Sequence, residues 1–86
     1  MSGRPLIPKS FPFRKLTTRL KNYDILWHKR KGKGGHGSFV GKDNSGSIQS
    51  YPLPSDQKKE VRKSYLKKLC ERFVFTNAQI RKIFEP

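Results

Sequence analysis

The sequence predicts an α+β domain: a three-stranded antiparallel sheet with two helices on one face, followed by a short C-terminal helix. Three observations carry this expectation. Apolar residues recur at helical spacing in two places, at Phe13, Leu16 and Leu20 and again at Val61, Tyr65, Leu66, Leu69 and Phe73. Between them lie three short runs holding β-branched or aromatic residues, separated by turn-forming stretches. At 86 residues, one small domain is expected, and aromatic residues make up 12% of it, which argues for a packed centre although hydrophobic content is only 33%.

Residues 1–11, with Gly3, Pro5 and Pro8, read as an extended N-terminal arm. The first helix opens at Pro12, whose missing N–H is not needed in a first turn, and stops within Asn22 to Asp24. The run DILWHKRK is a strand with Ile25, Trp27 and Lys29 on one face and Leu26, His28 and Arg30 on the other; His28, beside Trp27, is read as structural. KGKGGHG turns the chain, SFVGK is the second strand, DNSG a turn and SIQSY the third strand. PLPSD then closes the meander, because two prolines cannot continue a central strand.

The second helix is expected from Ser55 or Asp56, either of which can cap it. Asp56 and Glu60 complement its positive end, and Lys67, Lys68 and Arg72 its negative end. FTNAQIRKIF carries a capping box, Thr76 with Gln79, and a staple pair, Phe75 with Ile80, so residues 76–86 read as a short helical appendage. No internal repeat is visible. Phe13, Leu16, Leu20, Val61, Leu69 and Phe73 are the expected core. Both helices can cover one face of the sheet, leaving the other free for a partner.

Charge dominates the composition: twenty Lys and Arg against six Asp and Glu give a net +14. Clustered cations gain affinity for nucleic acid by releasing counterions from phosphates, so a polyanion is the expected partner. No apolar run is long enough to span a bilayer and MSGRPLIPKS lacks the apolar centre of a secretory signal, so a cytoplasmic location is expected, with no membrane partner. The single cysteine, Cys70, precludes an internal disulfide. His28, His36 and Cys70 are too scattered for a zinc site and the acids too dispersed for a magnesium cluster, so no metal is expected. GKGGHG is not a Walker motif, because no Gly-Lys-Ser/Thr follows at the required spacing, and no small-molecule cofactor is expected. Ser38 and Asp43 do not form a hydrolytic triad with His36 at any recognisable spacing.

RNA cleavage asks less of a protein. The 2′-hydroxyl is the nucleophile, so the enzyme moves protons and stabilises charge. A histidine titrating near neutrality suits that work, and Arg30, Lys31 and Lys33 favour the neutral, proton-accepting imidazole of His36. On the local residues alone, a plain solvent-exposed histidine in a hairpin is the simpler account.

The order of segments goes further. A helix with KLTTRLKN, a strand, GGHGSF, a strand ending in Tyr-Pro and then KKEVRKSYLKKLCERF resembles the HicA toxins of bacterial toxin–antitoxin pairs. Gly35 and His36 match the family's Gly-Ser-His element, with Gly35 standing where the family has serine. Pro52 matches the strand end, and Glu60, Val61, Ser64 and Leu66 match the second helix. The resemblance covers roughly residues 12–73, within an expected HicA-like domain of residues 12–75. It implies a double-stranded-RNA-binding-domain-like fold and a metal-independent endoribonuclease cleaving mRNA, with His36 catalytic. Lys31 and Lys33 would contact phosphate, Gly35 would admit the RNA backbone, and Lys59, Arg62 and Lys63 would position RNA or a HicB-like antitoxin. Phe39 and Tyr51 are candidates for stacking on bases, although strand aromatics more often build the core. The alternatives are a non-catalytic RNA-binding module of the same fold and a basic adaptor for an acidic protein.

Overall fold

The computed structural model describes residues 6–29 and 37–85. In chain order they form β1 (Ser10–Pro12), α1 (Phe13–Lys21), β2 (Leu26–Lys29), β3 (Gly37–Lys42), β4 (Ile48–Leu53), a single 3-10 turn (Ser55–Gln57), β5 (Glu60–Arg62), α2 (Lys63–Arg72) and α3 (Asn77–Phe84). This is the expected α+β class, with an antiparallel β2-β3-β4 sheet and a separate two-stranded β1-β5 ribbon.

Alternation along the strands sorts the sheet into two faces. Trp27, Phe39 and Tyr51 lie side by side across β2, β3 and β4. With Ile25 and Leu53 they face a core that also holds Leu16 and Leu20 of α1 and Leu66 and Leu69 of α2. Each of those leucines is fully enclosed, and burying one is worth about 1.5–3 kcal/mol. Leu26, Val40 and Ser50 form one row on the opposite face, and His28, Ser38 and Pro52 the next. The strand faces therefore follow the sequence pattern. Pro52 continues β4 instead of ending it; β4 is an edge strand, where a residue without an N–H is tolerated.

Two segments depart from expectation. The arm gains structure at Ser10–Pro12, which pairs antiparallel with Glu60–Arg62 and places Phe11 opposite Val61. The second helix begins at Lys63, not at Ser55 or Asp56: those residues enter the 3-10 turn, and no side chain caps α2. Val61 is buried, as expected, but from a strand. Phe13 is half-buried against the core.

The ribbon exposes an internal repeat that the sequence does not announce. β1 runs directly into α1 and β5 directly into α2. The Phe13 N–H donates to Lys59 O at 3.0 Å and the Lys63 N–H to Lys9 O at 2.8 Å, each helix start bonding to the residue before the opposite strand. Both helices end the same way. Ile25 N–H reaches Leu20 O and Asp24 N–H reaches Lys21 O; fifty residues on, Phe75 N–H reaches Cys70 O and Val74 N–H reaches Glu71 O. This is a Schellman cap, built twice. Its left-handed residue is Asp24 in the first copy (φ 60°) and Val74 in the second (φ 55°). A β-branched residue there costs about 1–2 kcal/mol. Residues 9–25 and 59–75 are thus two copies of one strand–helix–cap unit, paired about a local pseudo-two-fold axis at Phe11–Val61.

α3 opens with the expected capping box: Thr76 Oγ1 accepts from the Gln79 N–H, and the Thr76 N–H donates to Gln79 Oε1. Far from hanging free, the helix sends Ile80 and Ile83 into the interior, and Phe84 meets the Phe11 ring edge-on at 5.0 Å. Arg19 of α1 holds its far end, one guanidinium nitrogen donating to Lys82 O, Ile83 O and Glu85 O within 3.1 Å. The β3–β4 turn holds the near end: Asn44 Nδ2 donates to Val74 O and to Gln79 Oε1, and Gln79 Nε2 returns a bond to Asn44 Oδ1.

Candidate nucleic-acid interface

The sequence places its candidate residues in two groups. His36, Lys31, Lys33 and Gly35 lie outside the described residues. What is described is the frame on either side: the β2–β3 ladder has its last pair at Lys29–Gly37, and His36 is the residue before Gly37 in the chain. Gly37, expected within the turn, is the first residue of β3 and is buried. A Cβ there would stand 2.5 Å from Trp27 Cζ2 and 2.7 Å from the His28 carbonyl oxygen. The Trp27 ring closes over this glycine and packs edge-on against Phe13 and Phe39, with centroids 4.9 and 4.8 Å away. The chemistry of Gly37 is therefore packing. It gives the Trp27 ring its place beside the hairpin end and leaves the β3 backbone no freedom there.

Neither strand aromatic is free to stack on a base. Phe39 is 0% exposed and Tyr51 6%. Tyr51 Oη donates to Tyr65 O, and burial raises the phenol to about 12, with Tyr65 the next contributor. The expectation of base stacking is corrected: facing both helices, these rings are core. His28 stands exposed on the face away from the helices, opposite Ser38, so it is a surface residue. Cys70 is buried among apolar neighbours, which pushes its thiol up to about 12 and leaves it unreactive at neutral pH.

Lys59, Arg62 and Lys63 are described, and all three are exposed. Lys59 immediately precedes β5, Arg62 ends it and Lys63 opens α2, so they do not belong to a helix running from Ser55. Buried Gln57 sets their course, its Oε1 accepting the Arg62 N–H at 2.9 Å. Lys63 in turn is bound through its backbone to Lys9, a neighbour the sequence does not reveal because more than fifty residues intervene. On the outward side of the ribbon Ser10 Oγ donates to Glu60 Oε1 at 3.0 Å. The first turns of α1 and α2 carry no acidic residue, so the positive ends of both helix dipoles add to the local cations. The arrangement can hold phosphate at several points.

At the other end of β3, Asp43 organises the turn. It accepts from Ser45 Oγ, Gln49 Nε2 and the Ser45 and Ser47 amides, and these bonds, Ser45 and Gln49 foremost, lower its carboxyl to about 2. Asp43 and Ser38 sit near opposite ends of the strand. Among the described residues, no three His, Cys, Asp or Glu side chains converge as metal ligands, and no helix is long and apolar enough to cross a membrane. Comparison with protein-family models, with curated proteins and with solved structures gave no match.

Proposed function

We propose that the chain is a HicA-like ribonuclease of double-stranded-RNA-binding-domain-like fold, a metal-independent mRNA interferase in which His36 moves the proton of the attacking 2′-hydroxyl. The observation that carries the reading is the element order: α1, then three antiparallel strands, then α2, with the segment containing His36 joining the first two strands. Lys31 and Lys33 would neutralise the phosphate as it becomes pentavalent, Gly35 would admit the RNA backbone, and Lys59, Arg62 and Lys63 would hold more distant phosphates. A HicB-like antitoxin is the proposed protein partner, its lower charge complementing the +14 of this chain, and the cytoplasm is the proposed location.

The second reading, an RNA-binding module without catalysis, is favoured by one feature: the exposed cations of the ribbon can bind RNA with no help from His36. One experiment separates the two. Purified protein and His36→Ala are incubated in EDTA with an RNA and with DNA of the same sequence. Cleavage of RNA alone, abolished by the substitution, is the expected result. Intact RNA, bound with steep salt dependence by both proteins, would transfer the conclusion to the binding module.

A further inference from the structure

We propose that the β1–β5 ribbon is a two-ended clamp for the phosphate backbones of duplex RNA, with three cations at each end and Lys9 and Lys59 related by the pseudo-two-fold axis at Phe11–Val61. The inference rests on RNA being the partner, and it adds Lys9, Arg14 and Lys15 to the residues engaged. The outward side chains of the ribbon are Ser10 and Pro12 on β1 and Glu60 and Arg62 on β5, with Phe11 and Val61 turned into the core. At one end the Lys63 N–H to Lys9 O bond brings Lys9, Arg62 and Lys63 together; at the other the Phe13 N–H to Lys59 O bond brings the start of α1, with Arg14 and Lys15, beside Lys59 and Glu60, the Lys15 ammonium lying over the Phe11 ring at 5.8 Å. All six side chains are exposed.

The two cation clusters stand at opposite ends of the ribbon. Lys9 and Lys59 hold the same position in the two copies of the repeat, and Lys9 lies four residues along β1 from Phe13, the partner of Lys59. Four residues at about 3.3 Å each separate the ends by roughly 13 Å. The strands of a duplex are antiparallel and related by two-fold axes across the helix, so a protein with a matching axis presents one equivalent lysine, Lys9 or Lys59, to each, and each end adds cations of its own, Arg62 and Lys63 at one and Arg14 and Lys15 at the other. Duplex RNA is recognised by shape and by phosphate and sugar contacts, not by base edges, and this surface offers contacts of that kind. The first amide of each helix is already bonded to the opposite strand, so the side-chain cations are what bind.

The test measures binding of a 2′-O-methyl RNA duplex, which cannot be cleaved through its 2′-oxygen, across a range of salt. One variant neutralises one end (Lys9→Gln, Arg62→Gln, Lys63→Gln) and a second the other (Arg14→Gln, Lys15→Gln, Lys59→Gln). A charge-keeping control carries Lys9→Arg and Lys59→Arg, and thermal melts confirm folding. Each neutralised end is expected to lower the salt slope by roughly two to three, about one for each phosphate that no longer meets a cation. The control is expected to keep the wild-type slope, and a single strand of the same sequence to bind more weakly than the duplex. A fall at one end only, unchanged slopes at both, or tighter binding of the single strand would each overturn the clamp. Cleavage of ordinary RNA is scored separately. Intact RNA with both slopes falling removes the nuclease and leaves the clamp standing, and cleavage with unchanged slopes removes the clamp alone. Failure of the wild-type protein to bind any RNA would end both.

Discussion

Gly37 is the residue at which composition misleads most easily. It sits in a glycine-rich stretch that looks built for flexibility, yet its missing side chain is what lets Trp27 close against β3. Gly37→Ala is expected to cost about 1–3 kcal/mol, because the obstacles include the His28 backbone carbonyl as well as a ring. Urea unfolding measures this, and a loss under about 0.5 kcal/mol would show that the hairpin yields cheaply. Asp43 gives a pH dependence at the same scale. Its folded value is about 2, against an ordinary value of 3.8. Between the two the unfolded chain holds more protons than the folded one, so the stability Asp43 supplies is complete above the ordinary value and fades as pH falls toward 2. The gap between wild type and Asp43→Asn in urea midpoint should therefore be wider at pH about 5 than at pH about 2.5. An equal gap at both would refute the role of the ionised carboxylate.

Among elements, α3 depends on side chains far away in sequence. Arg19 satisfies three carbonyls at its end, and charge-assisted bonds of this kind put the expected cost of Arg19→Ala at about 1–3 kcal/mol, with loss of helical signal from the last turn. Proton exchange at the Ile83 and Phe84 amides would report it; unchanged protection would mean that packing of Ile80 and Ile83 suffices. The elements legible in the sequence are those whose signal is local. Leu16 and Leu20 recur at helical spacing, Ile25 and Trp27 alternate with Leu26 and His28, and Thr76 with Gln79 spells a capping box. The ribbon is not legible, since strands of three residues have no periodicity to read and their partners are fifty residues apart. The start of α2 is misread because Ser55 and Asp56 are good capping residues that serve a 3-10 turn instead. The repeat stays hidden because only Lys9/Lys59 and Leu16/Leu66 are identical between its copies; what they share is burial, hydrogen bonding and backbone angle. For the site, the sequence identifies Lys59, Arg62 and Lys63 correctly as exposed cations but cannot place Lys9 beside them. Phe39 and Tyr51 belong to the core.

At the scale of the molecule, the net +14 is carried on a small body, and self-repulsion works against its compact state. A polyanion that neutralises the ribbon should raise the melting temperature at low salt, and less so at high salt, since screening removes the repulsion and the attraction alike. Titration with the uncleavable duplex checks this, and a stabilisation indifferent to salt would argue that contacts other than phosphate dominate.

The ribbon also sets an order of events. β2, β3 and β4 follow one another in the chain as a meander, whereas pairing Phe11 with Val61 closes a loop of fifty residues. Chain entropy alone opposes that closure by roughly 3–4 kcal/mol. The meander is thus expected to fold early and the ribbon last, at the rate its long-range contact dictates. The same asymmetry gives the folded protein a weakest seam. The Phe13 and Lys63 amides should exchange with solvent before those of Phe39 and Val40, and equal rates would mean that the molecule opens only as a whole. A protein with such a seam keeps its sheet while the ribbon opens, so a ligand bridging β1 and β5 would act as a latch on the last step of folding.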